Sequence, residues 1–169
     1  MLWKIRQPGG PPHALQLGQP LICPLNSKEW VSCDTVRLRF DLPSAEHVLG
    51  LPVPGHLMAV DNAMIYRPYS PTTIDAHTAG HFDLLVRHYP RGEISSKLAR
   101  LAPGDRMHFR GPVASRFEYR RGVARRLGLV AAGTGIAPMW QARASSRSHT
   151  ARSLSRMLYR IRILPWTLS

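Results

Sequence analysis

From residue 20 to about residue 120 the chain is written in short stretches where apolar and polar side chains alternate, separated by turn formers. Thr35-Val36-Arg37-Leu38-Arg39-Phe40 and Asp105-Arg106-Met107-His108-Phe109-Arg110 both carry the two-residue period of a strand with one buried face. Leu42-Pro43-Ser44, Pro52-Val53-Pro54-Gly55, Pro103-Gly104-Asp105 and Gly111-Pro112 punctuate the pattern as turns. Several short strands at this spacing predict a mainly β fold built on a small antiparallel barrel. One helix is expected at residues 94–101, where Leu98 and Leu101 would share a face. A different grammar begins near residue 126. Residues 127–132 form a continuous apolar run suited to a strand covered on both sides. That run ends in Gly133-Thr134-Gly135-Ile136-Ala137-Pro138, with Pro138 expected as the first residue of a helix. A strand, a glycine turn and a helix start together make the opening βα unit of a nucleotide-binding domain.

Length and composition sharpen this division. A chain of 169 residues allows one full domain and a fragment of a second. The formal charge of +13 first suggests nucleic acid or an anionic membrane. All ten acidic residues, however, lie between Glu29 and Glu118, and residues 119–169 hold ten of the twenty arginines. The basicity therefore belongs to a tail, and no nucleic acid is expected as a partner. The expected organisation is a flexible lead-in at 1–19, a barrel domain at 20–121, the start of an α/β domain at 122–142 and a basic divergent tail at 143–169. Within that tail Leu154, Met157, Leu158 and Ile161 fall at helical spacing while Arg152, Arg156 and Arg160 step by four. The pattern fits a basic amphipathic helix, or a fortuitous pattern in a diverged end. Cys23 and Cys33 match neither a disulfide framework nor a zinc site. The eight histidines show no metal-ligand spacing, and Trp30, Trp140 and Trp166 are expected to pack rather than bind. No run reaches the roughly 20 apolar residues of a membrane-spanning helix.

Three clusters carry candidate chemistry. In Arg67-Pro68-Tyr69-Ser70-Pro71 the planar fork of Arg67 suits a phosphate, Tyr69 on the same strand face can stack on a flat ring, and Ser70 adds a small donor. The bland reading is the start of an edge strand. Gly92-Glu93-Ile94-Ser95-Ser96 places a glycine at a helix start, where backbone amides and the positive end of the helix favour an anion. By itself Ser95 reads equally as an ordinary helix cap. Gly133-Thr134-Gly135 allows close backbone approach to a ligand and supplies a hydroxyl at the carboxyl end of the expected strand. A lone Gly-x-Gly is otherwise a common turn.

Their order across a barrel-then-α/β boundary resembles the ferredoxin reductase-like superfamily and, within it, the NADH-cytochrome b5 reductases. The likeness runs over residues 20–142 and includes Phe40-Asp41-Leu42-Pro43-Ser44, Leu49-Gly50-Leu51-Pro52-Val53, Arg67-Pro68-Tyr69-Ser70-Pro71, Phe109-Arg110-Gly111-Pro112 and Ala132-Gly133-Thr134-Gly135-Ile136-Ala137-Pro138-Met139. It implies a Greek-key flavin-binding barrel with FAD as cofactor and NADH as co-substrate. By the resemblance Arg67 would bind the FAD pyrophosphate, with Pro68 beside it in the motif. Tyr69 would lie against the isoalloxazine and Ser70 near the ring nitrogen that accepts hydride. Leu85 and Arg87 would line the adenine side. Gly92, Ile94 and Ser95 would face the phosphates with amides and a hydroxyl. Thr134 would touch the flavin where nicotinamide enters, with Gly133, Gly135, Pro138 and Met139 on the NADH side. Ser70 and Thr134 would be the catalytic pair.

The resemblance further implies a hydride passed from NADH to FAD and single electrons passed to cytochrome b5 or a similar haem acceptor. The expected location is the cytoplasmic side, soluble or peripheral to the endoplasmic reticulum or mitochondrial outer membrane through basic segments. Three departures qualify the carry-over. Glu93 stands where many relatives place a cation, Ala137 replaces a commoner threonine, and nothing after residue 142 resembles the remaining nicotinamide domain. Weak or absent NADH turnover is therefore expected. The alternative is a non-catalytic flavin-binding fragment whose basic tail attaches to an anionic membrane or nucleic acid. A flavin domain serving another acceptor, such as nitrate reductase or an iron-sulfur partner, shares every motif.

Overall fold

The structure, a computed structural model, describes residues 10–114 and 128–147. The tail positions 152–161, the first residue of the 127–132 run and residues 1–9 lie outside those described. Six strands form one antiparallel sheet: β1 (Leu21–Trp30), β2 (Thr35–Asp41), β3 (Gly55–Val60), β4 (Tyr66–Tyr69), β5 (His81–Arg87) and β6 (Arg106–Ala114). Their order across the sheet is β4-β3-β6-β1-β2-β5. β1 serves two partners. Leu21 to Pro24 pair with β6 and Leu25 to Trp30 with β2, the second ladder carrying a register shift between Leu25 and Ser27. Such a bulge bends the strand and lets one sheet curl around a core. The curl is completed where the segment after β4 reaches β5, with the Thr72 amide donating to the Asp83 carbonyl at 2.9 Å.

The alternation read in the sequence is the burial pattern found. In β2, Val36, Leu38 and Phe40 are fully buried while Arg37 points outward, and in β6 Met107 and Phe109 point in. At the centre Phe40, Phe82 and Phe109 form a three-ring cluster with centroids 5.0 to 5.5 Å apart. Each such side chain contributes about 1.5–3 kcal/mol by leaving water. The helix α1 (Glu93–Arg100) sits within a residue of its expected limits, and Leu98 and Leu101 are both buried. Its carboxyl end is held by Lys28, whose ammonium donates to the carbonyls of Ala99 at 2.5 Å and Leu101 at 3.1 Å. A cation there satisfies carbonyls that have no partner within the helix.

Three expectations change. Residues 12–15 are not a free lead-in: the Ala14 and Leu15 amides donate to Val48 and Leu49, and Leu15 is buried in the core. The apolar anchor at Leu15 overrides the Pro/Gly composition around it. Residues 128–132 do not form the expected covered strand, and Val130 is 93% exposed. A parallel strand needs neighbours on both sides, and among the described residues none pairs with it. Pro138 is the third residue, not the first, of α2 (Ile136–Arg147), which a 3₁₀ turn at Gly133–Gly135 precedes. The first turn tolerates it because amides there lack intrahelical acceptors. Trp30 and Trp140, expected to pack rather than bind, are 47% and 39% exposed, and both rings make contacts: His88 meets Trp30 edge-on at 6.1 Å with the Lys28 ammonium 5.8 Å from its centroid, and the Arg143 guanidinium lies 5.4 Å from the Trp140 centroid.

Candidate functional site

The first cluster meets the second through an ion pair. On β4, Arg67 is registered with Ala59 and Tyr69 with Leu57, so both project from the same face of the strand. Pro68, registered with Met58, projects from the other. One guanidinium nitrogen of Arg67 donates to the Tyr66 carbonyl at 2.9 Å, and another reaches Glu93 Oε2 at 3.2 Å. Glu93 is the first residue of α1. The strand cation therefore stands at the helix's positive end.

That helix end has no side-chain cap on Gly92, and its first intrahelical bond runs from the Ser96 amide to the Gly92 carbonyl at 2.8 Å. The amides of Glu93, Ile94 and Ser95 precede that bond and have no intrahelical acceptor. Ser95 differs from expectation in its hydroxyl. It accepts from the Tyr89 amide at 3.3 Å and lies near the Gly92 carbonyl, while the Ser96 hydroxyl donates to the Tyr89 carbonyl at 2.9 Å. Both hydroxyls are turned inward to hold the 88–92 loop, leaving backbone amides as what this helix end offers an anion. Gly92 is needed for the same reason: a Cβ there would collide with Ser95 Oγ and crowd Tyr89. Ile94 sends its side chain into the core.

Electrostatics tie the aromatic residues to the same place. Burial pushes the Tyr69 phenol up to about 12, with Arg67 close enough to oppose the shift and Tyr89 close enough to add to it. The exposed ring of Tyr89 was not singled out in the sequence, although it stands two residues after the end of β5. The Arg87 guanidinium lies 5.7 Å from that ring's centroid and pairs with Asp34 at 2.8 Å. Leu85 lies two residues before Arg87 on β5 and is partly exposed. Ser70, half-buried, leaves β4 directly after Tyr69.

The third cluster reaches the barrel through a residue that the sequence did not mark. Gln141 on α2 is 1% exposed; its amide nitrogen donates to the Pro71 carbonyl at 2.8 Å and its oxygen accepts from the Gly55 amide at 2.9 Å. Pro71 follows Ser70, so α2 is fastened to the exit of β4. Thr134 and Gly133 are exposed in the 3₁₀ turn just before that helix, and Pro138 and Met139 are half-buried in its first turn. Gly133 adopts φ +54°, a region that favours glycine. A glutamine one turn beyond a Gly-x-Gly-x-x-Pro start would have been the only available signal. Among the described residues no group of three His, Cys, Asp or Glu is placed to hold a metal, and no helix is long and apolar enough to cross a membrane.

The sequence model of the family described as oxidoreductase FAD-binding domain matches residues 22–119, which include β4, β5 and α1. The chain belongs to this family. Among its relatives, NADH-cytochrome b5 reductase 1 of Eremothecium gossypii is 38% identical over 136 residues, covering 73% of this chain and 47% of that protein. NADH--cytochrome b5 reductase 1 of Arabidopsis thaliana is 33% identical over 140 residues, covering 80% of this chain and 49% of that protein. This FAD-binding family member thus spans about half the length of the curated relatives it matches. Among solved structures, the cytochrome b5 reductase domain of Ulva prolifera nitrate reductase superposes with a TM-score of 0.75 at 29% identity, covering 86% of this chain and 62% of that one. Phthalate dioxygenase reductase, at 23% identity and a TM-score of 0.63, shares the fold.

Proposed function

We propose that the chain is the flavin-holding half of an NADH-dependent reductase of the cytochrome b5 reductase type. The observation that carries this is the meeting of Arg67 with the amino end of α1 beside Tyr69. A diphosphate needs a cation and unpaired amides; a flavin ring needs a flat apolar face. The residues fit FAD on both counts. Arg67 and the amides of residues 93–95 would hold the pyrophosphate. The Tyr69 ring would take the isoalloxazine, and Ser70 would donate to its edge. Leu85, Arg87 and Tyr89 would line the adenine side. Bound FAD supplies a centre that accepts two electrons together and releases them singly. Thr134, in the turn that precedes α2, would orient the nicotinamide of NADH, with Gly133 and Gly135 permitting close approach and Pro138 and Met139 behind them.

A haem protein such as cytochrome b5 is the proposed acceptor, as the relatives' names suggest. The acid-free stretch 119–169 supports a peripheral contact with an anionic membrane on the cytoplasmic side. The deciding experiment is the visible spectrum of the purified chain with FAD, followed by titration of Arg67→Gln. Flavin bands should be present, and the variant should bind FAD about 10- to 100-fold more weakly, as expected for losing a charge-assisted contact. A colourless protein that does not take up FAD would overturn the proposal. NADH-to-ferricyanide turnover by this chain should be weak.

A further inference from the structure

Gln141 lies outside the three sequence clusters that carry the candidate chemistry, yet its carboxamide joins α2 to the barrel through two hydrogen bonds. Its carboxamide spends both ends on backbone groups 86 and 70 residues away in sequence, the Gly55 amide and the Pro71 carbonyl, and it is 1% exposed. Those two groups flank the candidate flavin strand. Gly55 opens β3, which pairs with β4 through Leu57 and Tyr69, and Pro71 closes the Arg67-Pro68-Tyr69-Ser70-Pro71 segment. From Ile136 to Gln141 the chain is continuous helix, so at about 1.5 Å per residue a rigid arm of roughly 8–10 Å links the carboxamide to the Gly133–Gly135 turn. Whatever Gln141 grips therefore sets where Thr134 stands.

We propose that Gln141 is a positioning residue whose carboxamide, bonded to Gly55 and Pro71, holds the Gly133-Thr134-Gly135 turn against the exit of β4 and so closes the nicotinamide side of the flavin site. The inference rests on the flavin reading above and adds to it the residue that fixes the turn relative to the ring. A plain packing role would be filled equally well by an apolar residue of the same length. The positioning role requires the amide: an apolar side chain leaves a buried amide and a buried carbonyl unpaired, and the arm swings away.

The test uses the full 169-residue chain, with Gln141→Met of similar length and Gln141→Asn, one methylene too short to span both partners. With FAD bound, iodide quenching of flavin emission should rise at least threefold in both variants, while FAD affinity changes less than threefold because Arg67 and α1 are untouched. Amide exchange at Gly55 and across residues 133–140 should quicken at least tenfold, with the rest of the barrel unchanged. Unaltered quenching and exchange in either folded variant would overturn the proposal. If Gln141→Met does not fold, Gln141→Asn gives the same readings. If the parent chain takes up no FAD, the flavin reading fails, and exchange in the unliganded chain still decides whether Gln141 holds the turn.

Discussion

Glu93 is the residue whose change should separate folding from binding most cleanly. Its carboxylate pairs with Arg67 at 3.2 Å, with the two side chains 53% and 56% exposed. A pair so open to water contributes about 0–1 kcal/mol to stability. As the first residue of α1, Glu93 also favours the helix end by about 0.3–1 kcal/mol. Gln at this position should therefore lower the unfolding free energy by about 0.5–1 kcal/mol. For FAD the sign reverses. A pyrophosphate oxygen taking the same guanidinium nitrogen would stand close to the carboxylate. Like charges about 4 Å apart repel by roughly 1 kcal/mol each in a water-like medium. Removing that carboxylate and freeing Arg67 should tighten FAD binding by about 1–1.5 kcal/mol, or roughly 5- to 15-fold. Flavin fluorescence titration at low salt measures the gain, urea unfolding measures the loss, and raising ionic strength toward 0.5 M should shrink the gain. In Arg67→Gln the benefit of the second change should fall, as a double-mutant cycle would show. FAD affinity in Glu93→Gln equal to or weaker than that of the parent would refute the placement of the phosphate at this pair.

Gly92→Ala should force Ser95 Oγ off the loop, lowering stability by about 1–3 kcal/mol through the displaced buried hydroxyl and weakening FAD uptake as the 88–92 loop shifts; urea midpoints and FAD titration check both. Lys28→Met should leave the Ala99 and Leu101 carbonyls without their cation and cost about 1–2 kcal/mol, measured by urea unfolding, with FAD affinity unaffected in the folded protein. Burial raises the Cys23 thiol from 9.0 to about 12 and the Tyr69 phenol from 10.0 to about 12, so folding favours the protonated form of each. Their stabilising contributions are complete below pH 9 and pH 10 respectively and are lost as pH rises toward 12, which urea midpoints between pH 7 and 11 should show. At pH 8 a thiol reagent should modify exposed Cys33 and spare buried Cys23 until urea is added, and equal rates would contradict the burial.

Much of the barrel was open to reading in the chain because its physics is local. A two-residue period at 35–40 and at 105–110 fixes which side chains go inward, and Val36, Leu38, Phe40, Met107 and Phe109 are the buried set. Gly92 and the residues after it likewise mark a helix start without reference to anything distant. Arg67, Tyr69 and the start of α1 could be suspected as partners only through the resemblance, since 26 residues separate the members of the Arg67–Glu93 pair.

Tertiary structure alone decided what those local signals do with their hydrogen bonds. The Ser95 hydroxyl was free to cap, bind or pack until the 88–92 loop claimed it. An apolar run at 128–132 reads as a strand on its own, yet among the described residues no strand pairs with it and Val130 is 93% exposed. Gln141 is an unremarked polar residue in sequence, and only the fold brings the Gly55 amide and the Pro71 carbonyl to its two ends. Periodicity specifies which face of an element is buried. Pairing between groups 70 or more residues apart depends on where the chain folds back, and no window of sequence contains it.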